Sequence, residues 1–341
     1  MVISQASQST PGNCYLSPHL KPGNGYIDQH IKVMENLGFR IKPLASLGQD
    51  FLKRSIPPGS IIDVHWMEEW PISKSRNSIS VTGLFKFCVM LLLFRLSGVP
   101  LVWQRHNYIG HDATGIGQKI SRWAISSLEK IATYKLAHFE SRSLVPNYQY
   151  SPHPIYTDKL VSDRWTEGSP RFVCFGAVKR YKRIPELLSI WPKETPLQIV
   201  GRCRDETLEE EINSIINLRH LDVQCDFRFV SDQEIPDLMS ASDVLVLTHG
   251  EGSAVVSGAY YMAKSYGCII LAQSSEFIDS MAKTTRGVYA FNSPENLREN
   301  IERVNAFRNQ NSREDIFQES CEQYSIDACA LRYKDIFSMS T

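Results

Sequence analysis

Three short stretches carry side chains whose types and spacing suit chemistry. In FGAVKRYKR, Gly176 is followed by Lys179, Arg180, Lys182 and Arg183, four cations within five positions. Ammonium and guanidinium groups at that density grip phosphate well, Lys as a point charge and Arg as a planar fork. A solvated basic turn is the plain alternative. In THGEGSAVVSGA a single carboxylate, Glu251, is set among Gly250, Gly252 and Ser253. Small residues there leave backbone amides open to a ligand that the acid can orient. Otherwise Glu251 caps the helix that follows. In QRHNYIGHD, residues Arg105, His106, Asn107, His111 and Asp112 crowd one segment. That mixture suits proton handling or phosphate binding, against a hydrogen-bonded loop without chemistry. His106 also reads as a packed histidine, His65 and Trp66 as the close of a sheet, and His153, between two prolines, as part of a turn.

Each stretch follows an apolar run: residues 171–175, 244–247 and 101–103 read as strands buried on both faces. Around Glu251 the pattern is strand 244–247, small-residue loop, helix 254–266 closed by Gly267, and strand 268–272. Such units bind ligands at the carboxyl ends of their strands. Upstream, a short strand at 13–19 runs into a loop with Gly23, Asn24 and Gly25. A helix at 26–37 follows, with Ile27, Ile31, Met34 and Leu37 on one face. Strands at 39–44 and 60–65 and helices at 79–96 and 117–134 complete the first alternation. Residues 144–156 are irregular and proline-rich, and the polar run 162–170 reads as a linker. A second alternation follows: helix to about 190, strand 197–200, helix 208–218, strand 227–230 and helix 233–241. Beyond 273 come a segment at 275–281, a strand at 287–291 and helices from 294. Two successive sets predict an α/β protein of two facing, doubly wound Rossmann-like domains.

The 341 residues suit two domains, and 43% hydrophobic with 22% charged residues is a globular composition. Eight cysteines without a C-x-x-C pair read as reduced, several of them as core residues, with no zinc site expected. The first residues lack the apolar centre of a signal peptide. The block FCVMLLLF is too short to span a bilayer and reads as a buried helix. Net charge is zero, yet residues 1–165 hold 18 Lys and Arg against 11 Asp and Glu. That excess points to an anionic partner, a membrane surface or a phosphorylated substrate, or else to ordinary solvated surface.

The carboxyl-terminal half resembles the nucleotide-sugar-binding domain of GT-B glycosyltransferases of the "glycosyl transferases group 1" set. FGAVKRYKRIPELL is similar to that family's strand, glycine, cationic turn and helix, and Lys182 matches the Lys that contacts the donor diphosphate. The arginine often found after the glycine is replaced by Ala177, with Lys179 as its substitute. FRFVSDQEIPDLMSASDVLVL resembles the segment whose backbone, here Val230 and Ser231, faces the nucleobase. Glu251 matches the first of two characteristic glutamates, while Ala259 stands where the second, ribose-holding one is expected. A bacterial polysaccharide branch is similar in having Ser-Gly-Ala there, as Ser257-Gly258-Ala259 do. VHW at 64–66, RHNYIGHD at 105–112 and SPHPIY at 151–156 resemble that branch's strand-end motifs.

The resemblance implies an acceptor-side domain at 1–165, a donor domain at 166–320 and a terminal helix at 321–341 packing back on the first domain. It implies a metal-independent hexosyltransferase of surface polysaccharide synthesis, moving sugar from a nucleoside diphosphate to a saccharide or lipid-linked saccharide. The expected location is cytoplasmic, with peripheral contact at the inner face of an anionic membrane and no nucleic-acid partner. No cofactor is expected. Gly176, Lys179, Arg180 and Lys182 would hold the diphosphate; Val230, Ser231, Glu251, Gly252, Ser253, Ser257 and Gly258 the nucleotide and sugar. Gly23, Asn24, Gly25, His106 and Asn107 would face the acceptor. An inverting reaction needs a base, for which Asp112 and His111 are the candidates; a retaining one needs none. A nucleotide-sugar epimerase and a non-catalytic nucleotide-binding homologue are the rival readings.

Overall fold

The computed structural model describes residues 12–20, 24–73, 75–110, 113–142, 147–248 and 255–339. Among these the chain divides into two compact units. One lies within Met1–Pro152, Ser253–Val255 and Cys329–Thr341, the other within His153–Gly252 and Val256–Ala328.

The first unit holds β1 (Asn13–Ser17), α1 (Gly25–Asn36), β2 (Arg40–Pro43), α2 (Leu47–Leu52) and β3 (Ile61–His65). It continues with α3 (Val81–Ser97), β4 (Leu101–Arg105), α4 (Gly115–Ile131), β5 (Tyr134–Ala137) and β6 (Gln149–Tyr150). The six strands form one parallel sheet in the order β2-β1-β3-β4-β5-β6. All of β3 and β4 is buried, as parallel strands covered on both faces must be. Ser80 caps α3 by accepting the Gly83 amide, and Gly98, in the left-handed region at φ 65°, ends it.

The second unit runs β7 (Phe172–Phe175), α5 (Ile184–Ile190), β8 (Leu197–Val200), α6 (Glu206–Arg219), β9 (Val223–Asp226) and α7 (Ile235–Ser240). Then come β10 (Val244–Leu247), α8 (Gly258–Ser265), β11 (Ile269–Gln273), α9 (Glu276–Thr284), β12 (Val288–Phe291), α10 (Pro294–Arg308) and α11 (Arg313–Tyr324). Its parallel sheet is ordered β12-β11-β10-β7-β8-β9. Trp191, Leu188, Ile199, Val246 and Leu271 are among the side chains of its core. Arg313 is fully buried and donates to the carbonyls of Ser240, Met239 and Tyr266, closing the carboxyl ends of α7 and α8. A last helix, α12 (Ile326–Ser338), belongs to the first unit from Cys329 onward.

Several elements differ from the sequence reading, α2 and β6 being unforeseen. The helix expected to reach 134 stops at Ile131, because Tyr134–Ala137 pairs with β4 as an additional strand. The strand expected at 227–230 is instead Val223–Asp226, which has β8 as its ladder partner, while Phe229 is 66% exposed. α8 begins at Gly258, not at 254. The apolar helix α3, expected to be buried, covers only one side: Phe87 and Phe94 are buried and Phe85 is exposed.

Candidate functional site

In each unit the chain order reverses beside its first strand, between β1 and β3 in one and between β7 and β10 in the other. Ligand crevices of open parallel sheets form outside the carboxyl ends of the strands at such reversals. Both units place their chemistry there.

In the second unit β7 runs into Gly176, at φ 101°, a conformation that favours glycine. Its amide donates to Val200, and the backbone of Gly201 packs so closely that a Cβ there would stand 2.2 Å from the Gly176 oxygen. A tight turn, Arg180–Lys182, then returns the Lys182 side chain over the strand end. Its ammonium donates to the Phe175 carbonyl at 3.3 Å, beside a hollow lined by Phe175, Gly176, Lys182, Leu247 and Thr248. The Thr248 hydroxyl donates to the Lys182 carbonyl, tying the end of β10 to the turn that follows β7. Arg183 follows at φ 52°, a strained position for a long side chain that holds the turn against α5. Burial pushes the Lys182 ammonium down to about 8, with repulsion from Lys179 adding to it against the attraction of Cys174. Among the described residues no carboxylate forms an ion pair with Lys182. A half-buried cation that a carbonyl dipole alone answers among the described residues suits an anion.

The other expected donor residues are spread around this point. Lys179 is exposed, its ammonium 5.8 Å from the centre of the Tyr181 ring. Arg180 turns outward to Asp205 at 2.8 Å and Glu211 at 3.0 Å, so it does not join Lys182 in this conformation. Val230 is buried, and the Ser231 amide and hydroxyl both donate to Glu234 at 2.9 and 2.7 Å. Ser257 precedes α8 as a buried residue, and Gly258 opens it where a Cβ would come 3.3 Å from the Tyr156 hydroxyl. Glu251, Gly252 and Ser253 lie outside the described residues, as do Gly23, His111 and Asp112.

Gly176→Ala tests this geometry. The new Cβ would stand 3.0 Å from the Lys182 ammonium on a backbone that alanine rarely adopts. The expected cost is roughly 1–3 kcal/mol of stability from the strained φ together with about a tenfold loss of affinity for a diphosphate, read by denaturant unfolding and by titration calorimetry.

The first unit gathers a different set. Asn24 caps α1 by accepting the Tyr26 amide at 3.2 Å, and Gly25 is the helix's first residue. Tyr26 and His30 therefore face the ends of β1 and β3. His30 Nε2 lies 2.7 Å from Asp63 Oδ2, and Asp63 Oδ1 faces His65 Nε2 at 3.3 Å. His65 Nδ1 is 3.0 Å from His106 Nε2 and 3.4 Å from the Tyr26 hydroxyl. His106 stacks on Trp66 with centroids 4.1 Å apart, Trp66 being held at φ 53°, and His138 packs within 5.1 Å of the His106 ring. Asn107 donates to Glu69 at 3.2 Å.

Burial alone would raise the Asp63 carboxyl, but the His30 and His65 imidazoles outweigh it and hold it well below the usual carboxylate range. Asp63, ionised, accepts from His30 Nε2, while His65 Nδ1 stands at hydrogen-bond distance from both His106 Nε2 and the Tyr26 hydroxyl. His30, Asp63 and His65 have ligand atoms within 4.8 Å of one another, the one such group among the described residues. The 2.7 Å approach of Asp63 to His30 is closer than two ligands of one zinc ion stand, and describes a hydrogen bond. Just beyond, Glu68 accepts from the Trp103 indole at 3.3 Å, and burial pushes its carboxyl up to about 7.

Sequence reasoning missed Tyr26, His30, Asp63 and His138. One signal was available: Asp63 is a carboxylate inside the apolar run SIIDVH, two residues before His65 and so on the same face of the strand.

No family model matches the sequence, and no curated protein matches it. Solved structures do. HepE of Anabaena in complex with UDP superposes with a TM-score of 0.61 at 14% identity, over 96% of this chain and all of that one. A glycosyltransferase from Rickettsia africae gives 0.59 at 12%, covering 98% of this chain and 99% of that one. The lipopolysaccharide outer core galactosyltransferase WaaB gives 0.55 at 16%, over 92% and 81%. These are likenesses of backbone, and with two six-stranded parallel sheets flanked by helices they place the chain in the GT-B glycosyltransferase fold.

Proposed function

We propose that this chain is a glycosyltransferase that moves a sugar from a nucleoside diphosphate to a saccharide or lipid-linked saccharide acceptor in the synthesis of a surface polysaccharide. The observation that carries the reading is Lys182, a half-buried cation at the chain reversal of the second sheet whose ammonium, among the described residues, donates to the Phe175 carbonyl and pairs with no carboxylate. Gly176 clears the approach to it, and a diphosphate supplies the missing negative charge as it leaves the sugar. Lys179 and Arg180 lie in the same turn, within reach of a bound nucleotide if Arg180 exchanges Asp205 for phosphate. Glu251, with the amides of Gly252 and Ser253, orients the sugar. Asp112 or His111 takes the acceptor proton if the anomeric centre inverts. The solved complexes of HepE with UDP and with UDP-glucose are consistent with this class of donor.

Thermal unfolding against UDP, GDP and other nucleoside diphosphates tests it, followed by hydrolysis of the matching nucleotide sugar. One diphosphate at 100 times its Kd adds about 2.7 kcal/mol to stability. No shift with any diphosphate at millimolar concentration would remove the reading.

A further inference from the structure

We infer that the outer face of α3, with the adjoining part of α4, docks on an anionic lipid bilayer. α3 is VTGLFKFCVMLLLFRLS, with two cations, no acid and apolar side chains on every side. A helix of that composition is ordinarily enclosed all round. Here one side packs on the unit while the other is open: Val81 is 77% exposed, Phe85 70%, Val89 45%, Leu92 58% and Leu96 60%. Their spacing of four, four, three and four residues puts them in a single stripe about 22 Å long. On α4, Ile116 and Trp123 are exposed two turns apart, and the Trp123 ring lies 5.4 Å from that of Phe87, widening the patch beside α3.

Charge selects the occupant. Lys86, Arg95, Lys119, Arg122 and Lys130 are all exposed on these two helices. Their one acid, Glu129, is engaged with Arg105 at 3.2 Å and with the Tyr148 hydroxyl at 2.7 Å. An apolar stripe edged by cations matches a bilayer with anionic headgroups. The acyl boundary receives Phe85 and Leu92, Lys86 and Arg95 extend to the phosphates, and Trp123 takes the interfacial level. A second copy of the same face would set five cations against five and is disfavoured. Among the described residues no helix is long and apolar enough to cross a membrane, so α3 lies in the plane of the surface.

The inference does not depend on sugar transfer, and its readout needs no donor. The full chain is floated with phosphatidylcholine vesicles, with and without phosphatidylglycerol, at low and high salt. It should float with the anionic vesicles at low salt and not with the neutral ones. Phe85→Ser with Leu92→Ser should lower partitioning by about tenfold or more. Lys86→Gln with Arg95→Gln should lower it about fivefold per cation. Both pairs should keep the wild-type melting temperature, since the substituted side chains face solvent. Cys88, exposed on the same helix, should react with maleimide more slowly when anionic vesicles are present, read by peptide mass. Absence of flotation at low salt overturns the inference. So does equal flotation of the Phe85→Ser/Leu92→Ser chain, or a wild-type dimer that Leu92→Ser dissociates without any vesicle binding.

Discussion

Replacing Lys182 by methionine is expected to make the protein more stable and to abolish sugar transfer, two effects of opposite sign from one substitution. The ammonium of Lys182 is held near 8 by burial, below its ordinary value of 10.5. Below pH 8 the lysine is charged in both folded and unfolded chains, and the folded chain bears the cost of shielding that charge from water. The cost is up to roughly 3 kcal/mol, at 1.36 kcal/mol per unit of displacement. Between about pH 8 and 10.5 the folded chain releases its proton first, so wild-type stability rises with pH through this window. Lys182→Met keeps much of the volume and removes the charge, so its stability should exceed wild type at pH 7 and lack that rise. Turnover of the nucleotide-sugar donor should fall about 100- to 1,000-fold or more, as when one electrostatic donor to a developing anion is removed. Denaturant unfolding from pH 7 to 10, beside a donor-consumption assay, reads both. A variant that turns over like wild type would separate Lys182 from the diphosphate.

Asp63→Asn should be the most destabilising conservative change in the first unit. The substitution keeps the shape but removes the carboxylate that His30 Nε2 meets at 2.7 Å and that faces His65, inside a fully buried cluster. Removing one partner of such a pair costs about 3–5 kcal/mol, which corresponds to a fall of roughly 6–20 °C at about 2–4 °C per kcal/mol. The pH dependence has a definite sign. A carboxyl held below its unfolded value stabilises the fold fully above an ordinary carboxylate pKa of about 4, and the contribution fades as pH falls from there toward the folded value. Wild type should therefore lose stability more steeply in acid than Asp63→Asn does, and the two curves should converge. Nucleotide binding, assigned to the second unit, should survive in whatever fraction remains folded. A variant within about 0.5 kcal/mol of wild type at pH 7 would show that the cluster is not a structural keystone.

Much of the architecture was legible because parallel strands buried on both faces leave unbroken apolar runs, as VLVL at 244–247 and LVW at 101–103 do. Glycine punctuation did the rest: Gly176 and Gly98 stand where the backbone turns left-handed. The place of Lys182 beside the end of β7 was legible for the same reason, a few residues past a strand and a glycine. The histidine cluster was not, since His30 meets Asp63 across 33 residues, and no local pattern pairs a helix position with a strand position. β9 was misplaced because both VQCD and FRFV alternate well enough for a short strand, and only the ladder with β8 decides between them. α3 was read as enclosed because periodicity is silent when every position is apolar. A stripe is visible only where polar residues interrupt it.

The path of α12 has a consequence for how this protein is made. Cys329, Ala330, Tyr333 and Ile336 are buried, and the Tyr333 hydroxyl donates to Gln104, 229 residues earlier in the chain. Synthesis runs from the amino terminus, so every strand through Tyr150 leaves the ribosome while this helix is still unwritten. The nascent amino-terminal half must wait with a wall missing and apolar surface bare, the condition in which chains aggregate or recruit chaperones. Deletions within α12 should therefore register first as faulty maturation of the amino-terminal half.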